Sequence, residues 1–285
     1  STVHLFSFFI SARIYLWFHT YDILFTRETF TGLFFKNFVF EVHMPEQMKS
    51  YALRAKKLVV LTGSGKDEII KKGISPGRIL IAPDAVNLSL FPHRTKKEAR
   101  EHLNLPLDAR IVLYWGNFKL WKGVDTLANV APLLKDTFVV MIGATKDSDL
   151  ERIKNLAGNL PNTLIKGFKP QELLPWYLAS ADVLVLPNSA HDENSRLYTS
   201  PMKLFEYMAA DRPIVASDLP SLRYIINFHN SVLVTPDDVQ ALARGIERLL
   251  ADPAHGATLA STARKEVEQY TWEKRAQSIL TFISE

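Results

Sequence analysis

Ser200-Pro201-Met202-Lys203-Leu204-Phe205-Glu206-Tyr207-Met208-Ala209-Ala210-Asp211-Arg212-Pro213-Ile214-Val215-Ala216-Ser217-Asp218 passes from a polar loop, through a short amphipathic helix, into an apolar strand. A proline suits a helix's first turn, because the amide it lacks has no intrahelical acceptor there. Free amides at such a start, at the positive end of the helix dipole, make a place for a phosphate. Glu206 falls about a turn and a half further in. There a carboxylate can accept hydrogen bonds from a sugar. The bland alternative is an ordinary loop-helix-strand unit of a doubly wound domain.

Outward from this stretch, apolar β-branched runs alternate with helical patterns. Strands are expected over residues 22–26, 38–42, 58–62 and 78–82, with a helix over 65–72 that Gly73 closes. A polar break, Phe91-Pro92-His93-Arg94-Thr95-Lys96-Lys97, precedes a helix over 96–103. The pattern then restarts. Strands are expected over 111–116, 138–142, 163–165, 182–186, 213–216 and 231–234, and helices over 123–134, 148–157 and 171–179. The tail from Asp237 reads as helix, broken near Pro253 and Tyr270. Continuous apolar strands separated by helices predict parallel sheets covered on both faces. Two successive α/β units joined near residue 93 fit best, the second complete and the first short.

The composition, 47% hydrophobic and 22% charged over 285 residues, is that of a globular chain with a substantial core. The absence of cysteine excludes disulfides, thiolate metal sites and a cysteine nucleophile. Charge is uneven. Residues 1–95 hold 12 Lys+Arg against 7 Asp+Glu, and residues 96–285 hold 22 against 23. A basic first part suits an anionic membrane surface, a phosphate-bearing acceptor, or simply a solvated lysine-rich face. No basic stripe is interleaved with aromatics, so nucleic acid is not an expected partner. The run Leu5, Phe6, Phe8, Phe9, Ile10, Ile14, Tyr15, Leu16, Trp17, Phe18 is interrupted by Arg13 and too short for a comfortable span. It is expected as a helix packed between sheet and neighbour, with a membrane-docking helix as the alternative.

Several segments carry a family likeness. Ile81-Ala82-Pro83-Asp84-Ala85-Val86-Asn87-Leu88-Ser89-Leu90-Phe91, Tyr114-Trp115-Gly116-Asn117-Phe118-Lys119-Leu120-Trp121-Lys122-Gly123-Val124-Asp125, Ala181-Asp182-Val183-Leu184-Val185-Leu186-Pro187 and Tyr270-Thr271-Trp272-Glu273-Lys274-Arg275-Ala276 stand in order around the opening stretch. Together they resemble retaining glycosyltransferases of family four. The resemblance implies an α/β chain of the GT-B fold, with two Rossmann-like doubly wound domains facing a cleft. The first domain, residues 1–93, is expected to be incomplete, because relatives carry about three more strands before the position of Ser1. Residues 94–268 would form the nucleotide-sugar domain, and 269–285 a helix crossing back to the first.

The same resemblance assigns roles. Lys122 would contact the donor diphosphate, where a fixed ammonium stabilises a leaving nucleoside diphosphate. Gly116 and Asn117 would form the adjoining loop, with Asn117 where the family commonly has arginine. Gly167 and Phe168 match a loop on the nucleotide base, and Gly143-Ala144 an inner loop. Glu206 would bind the ribose. Its usual partner carboxylate falls at Tyr198, and Arg196 supplies a nearby cation. Ser200, Pro201, Met202 and Lys203 form the phosphate-facing helix start, with Lys203 acting more through its amide than its side chain. His43, after the strand over 38–42, matches a histidine near the sugar, and Arg27 and Glu28 end the strand before it. Lys122, Glu206 and His43 are thus the catalytic candidates. No metal and no cofactor are expected, since helix amides and Lys122 would take the part of a cation. The donor would be a UDP- or GDP-sugar, the acceptor a glycan, a lipid-linked glycan or a small molecule, with peripheral membrane contact as a further expectation. The expected place is the cytoplasm, at the inner membrane surface if that contact is made. Two other readings stay open: a nucleotide-sugar epimerase of the same fold, and a non-catalytic nucleotide-binding module.

Overall fold

The computed structural model describes residues 2–158 and 160–285, with side chains from residue 7 onward. Ser1 therefore lies outside the described residues, as do the side chains of Leu5 and Phe6. The chain divides into two compact units. One holds Ser1–Pro83 with Arg275–Glu285, the other Asp84–Lys274. Residues 84–93, expected with the first unit, place Val86 and Phe91 in the core of the second.

The first unit carries helices α1 (Thr2–Trp17), α2 (Thr31–Phe34) and α3 (Gly63–Lys71), and strands β1 (Phe25–Thr26), β2 (Val39–Val42), β3 (Lys57–Val60) and β4 (Ile79–Ile81). The strands form a parallel sheet in the order β1-β2-β3-β4. Helix α3 starts where the Thr62 side chain accepts from Gly65 N at 3.1 Å, capping an otherwise unpaired amide. The core gathers Phe38, Phe40, Leu58, Val60 and Ile69 on one side, and Val39, Val59, Ile279 and Ile283 on the other.

Helix α1 forms as expected, but not as a buried helix. Phe9 is covered and stacks on Phe34 with centroids 5.0 Å apart. Phe8, Ile10, Ile14, Tyr15 and Trp17 are exposed. Apolar residues run round the whole helix, while the cover it packs against, α2, is one turn long. Among the described residues no helix is long and apolar enough to cross a membrane.

The second unit contains α4 (Lys96–Leu103), β5 (Arg110–Trp115), α5 (Val124–Val130), β6 (Thr137–Ala144), α6 (Asp147–Ala157), β7 (Thr163–Gly167), α7 (Leu174–Ser180), β8 (Val183–Leu186), α8 (Met202–Ala209), β9 (Ile214–Ser217), α9 (Pro220–Arg223), β10 (Val232–Val234), α10 (Val239–Ala251) and α11 (Pro253–Glu266). Helix α12 (Trp272–Ser284) begins here and ends in the first unit. The six parallel strands lie in the order β10-β9-β8-β5-β6-β7. Alternate residues of one strand enter different cores. Ile111, Leu113 and Trp115 join one cluster, Val112 and Tyr114 the other. That is why the strand reads as an unbroken apolar run.

This order is that of a dinucleotide-binding sheet. Its direction reverses between β5 and β8, and ligands of such sheets sit beyond the carboxyl ends of the strands at that point. Of the residues that the sequence nominated in this unit, Gly116, Asn117 and Phe168 follow such strand ends, Met202 and Lys203 open α8, and Glu206 lies further along that helix.

Candidate functional site

At the end of β5 the chain turns at Gly116, whose φ is +153°. A Cβ there would lie 2.6 Å from Lys203 Nζ. Only glycine therefore lets the turn close over that amine. Lys203 is buried, and its Nζ donates to Tyr114 Oη at 2.8 Å. Tyr114 Oη in turn donates to Asn117 O at 2.8 Å. Burial lowers the Lys203 amine well below the usual lysine range, Lys122 lowers it further, and Glu206 partly offsets both. Lys203 was expected to act chiefly through its amide, which opens α8; its side chain is seated beneath the loop.

Lys122 ends a tight turn just before Gly123, whose φ is +67°. A Cβ on Gly123 would fall 1.8 Å from Pro187 O, so the loop after β5 meets the loop after β8 backbone to backbone. Ser189 N donates to Trp121 O at 3.1 Å, and Ser195 Oγ donates to the same oxygen at 3.2 Å. These contacts fix Lys122, whose Nζ lies 3.6 Å from the centroid of the Trp121 ring. Burial and the Lys119 charge lower its pKa to about 8, against the pull of Asp84 and Asp192.

Helix α8 begins at Met202, with Pro201 at the cap rather than in the first turn and no side-chain cap bond. The amides of Met202 and Lys203 therefore open the helix without a capping oxygen. Ser200 Oγ accepts from Asp84 N at 2.9 Å. Glu206 is half-buried and accepts from Gln171 Nε2 at 3.2 Å. Burial pushes its carboxyl up to about 7, opposed by Lys203 and by that bond. Tyr207, next in the helix, ties α8 to β5. Its Oη accepts from Trp115 N at 2.9 Å.

The structure thus brings Gly116, Asn117 and Lys203 together through Tyr114, with Lys122 and Glu206 near enough to act electrostatically on the Lys203 amine. Gly167 ends β7 and Phe168 follows it, where Phe168 N donates to Ala144 O at 2.9 Å and the Phe168 ring is exposed. Tyr198 is buried in a π-helical turn (Asn194–Tyr198), and Arg196 is exposed on the same turn. Sequence reasoning missed Tyr114, Gln171 and Asn188. Asn188 follows β8 and is fully buried, and neither its Nδ2 nor its Oδ1 has a hydrogen-bond partner among the described residues. An Asp-x-Asp spacing exists at Asp147-Ser148-Asp149, but it opens α6, where Asp149 pairs with Arg152 at 3.3 Å. Among the described residues no cluster of three or more His, Asp or Glu is placed to hold a metal.

In the first unit, His43 follows β2 and its Nε2 donates to Glu41 Oε1 at 2.9 Å. Glu41 is buried and also bonds Arg27 at 2.8 Å and Arg275 at 2.9 Å. Burial would raise the Glu41 carboxyl. The bonds from His43 and Arg275, with the charges of Arg275 and Arg27, outweigh it and hold the pKa at about 2.

The family description "Glycosyl transferases group 1" matches residues 109–252, just over half of the chain. A D-inositol 3-phosphate glycosyltransferase of Streptomyces bingchenggensis is 30% identical over 240 residues, covering 78% of this chain and 51% of that protein. The chain spans about half the length of the curated relatives it matches. Among solved structures, Anabaena HepE in complex with UDP superimposes with a TM-score of 0.82 at 17% identity, over 97% of this chain and 81% of that one. Sucrose-phosphate synthase from Thermosynechococcus elongatus gives a TM-score of 0.79 at 24% identity, over 97% and 76%.

Proposed function

This chain belongs to the glycosyl transferases group 1 family and has the GT-B fold, and on that footing we propose that it takes part in glycosyl transfer from a nucleoside diphosphate sugar. The observation that carries the reading is the pairing of two buried amines, Lys122 and Lys203, with the uncapped start of α8 at the sheet's reversal point. The Lys122 ammonium and the free amides there suit a diphosphate, with the Lys203 amine bracing the loop from beneath. Lys122 holds the diphosphate, and the Met202 and Lys203 amides hold its outer oxygens. Glu206 accepts from the ribose hydroxyls. The base is a uridine or guanosine against the loop at Gly167 and Phe168, with Arg196 at the rim. We place no nucleophile among the described side chains of these loops. The reading is therefore front-face transfer with retention, in which the leaving diphosphate takes the acceptor's proton. His43, held by Glu41, belongs to the sugar side. The acceptor is a glycan, free or lipid-linked, or a small molecule.

The test is binding of UDP- and GDP-sugars to the chain and to Lys122→Ala and Glu206→Ala. Each variant should lose about tenfold or more in affinity while keeping its fold. Unchanged affinity in both overturns the assignment. Incubation with donor but no acceptor separates transfer from epimerisation, since an epimerase converts the donor by itself.

A further inference from the structure

The second unit has a cavity at the opposite ends of its strands from Lys122. Arg110 opens β5, Asp182 precedes β8, and Arg212 and Pro213 precede β9; together with Arg94 and Lys96 they ring a space of about 640 Å³. A recess of about 90 Å³ shares Arg94 and Arg212 with it and adds Arg264. Five cationic side chains and two carboxylates, Asp182 and Asp211, thus line the two spaces. Asp182 is already engaged, accepting from Arg100 at 2.7 Å, from Ile111 N at 2.7 Å and from Lys96. Arg212 is engaged too, donating to Ala179 O at 2.8 Å and to Arg94 O at 3.1 Å. It builds the wall and fixes the backbone of Arg94.

Two guanidinium nitrogens in the recess are left over. Arg94 Nη1 and Arg264 Nη1 are buried without a hydrogen-bond acceptor among the described residues. Glu268 Oε1 stands 3.9 Å from the latter, beyond hydrogen-bond reach. The Arg94 guanidinium lies over the Trp176 ring, 4.2 Å from its centroid, which sets its plane. Buried donors of fixed charge without an acceptor are costly, and two guanidinium groups lining one recess suit a tetrahedral oxyanion. The larger space has an apolar wall from Leu249, Leu250, Pro253 and Ala260, and a volume that fits a small organic ligand.

We propose that this is a second ligand site, separate from the donor loops, which binds a phosphate ester. Its phosphoryl oxygens accept from Arg94 and Arg264, and its organic part lies in the larger cavity against α10 and α11. Free phosphate shares the oxyanion and lacks the organic part.

Calorimetric titration of the whole chain with glucose 6-phosphate and with inorganic phosphate tests this, with UDP present in saturating amount. Both should bind, the ester more tightly. The double variant Arg94→Gln, Arg264→Gln should weaken both by about tenfold or more while UDP affinity stays unchanged. Should that variant fail to fold, Arg94→Lys keeps the charge without the fork and should weaken binding severalfold. No binding at millimolar ligand, binding that UDP abolishes, or variants that titrate like the parent would each overturn the proposal. Equal affinity for ester and phosphate would overturn the placement of the organic part.

Discussion

Lys122, the residue proposed to hold the diphosphate, sits at a cost to the fold. A lysine whose pKa falls from 10.5 to about 8 is penalised by about 3 kcal/mol in its charged form. Lys122→Met should therefore raise stability by about 1–3 kcal/mol in urea melts while abolishing nucleotide-sugar binding. The sign has a pH window. The penalty is fully present below about 8 and fades between about 8 and 10.5, so parent and variant should converge as pH rises through that range. A variant less stable than its parent at pH 7 would show that the charge is paired in the fold. The same two groups set a binding profile. Glu206 ionises near 7 and Lys122 loses its proton near 8, so affinity for a UDP-sugar, whose diphosphate does not titrate there, should peak between the two. It should fall about tenfold per pH unit on either side. Glu206→Gln should flatten the acid limb and leave the alkaline one; an acid limb that survives would exclude Glu206 from the ribose contact.

At the scale of elements, what was legible followed from local pattern, and what was not depended on distant partners. The alternation Ile111, Val112, Leu113, Tyr114, Trp115 announced a strand covered on both faces, and both cores receive it. Thr95 and Glu98 place the start of α4 through a reciprocal cap. Pro201 misled by one position, since a proline is as well suited to the cap as to the first turn. Asn188 carried no signal, because its burial is made by neighbours that the fold supplies. Gln171 reaches Glu206 across a separation of 35 residues. Glu41 looked like a polar residue within a strand. Its meaning comes from Arg275, 234 positions away, which binds it and also Pro83 O at 2.7 Å. That network predicts acid sensitivity in the first unit. A carboxyl held at about 2 lends stability above pH 4.5 that is lost as pH falls toward 2. Glu41→Gln should destabilise by about 3 kcal/mol at pH 7, because it leaves Arg275 buried without its carboxylate. The gap should close on acidification, as followed by circular dichroism. A gap independent of pH would assign the loss to packing instead.

Over the whole molecule, each unit has a core of its own residues. Phe38, Phe40, Leu58 and Ile279 build the first, and the clusters around β5 and β8 build the second. The donor-side candidates, from Gly116 to Glu206, all belong to the second, while His43 and Glu41 belong to the first. A unit with a closed core and a complete sheet has what it needs to fold alone. Residues 84–274, expressed separately, should therefore melt cooperatively and bind a UDP- or GDP-sugar within about threefold of the full chain. His43→Ala in the full chain should then leave donor binding nearly unchanged, since His43 lies in the first unit and is bonded there to Glu41. If the separate unit folds yet binds more than about tenfold more weakly, residues of the first unit contribute to holding the nucleotide, and Lys122 and Glu206 no longer account for donor binding by themselves.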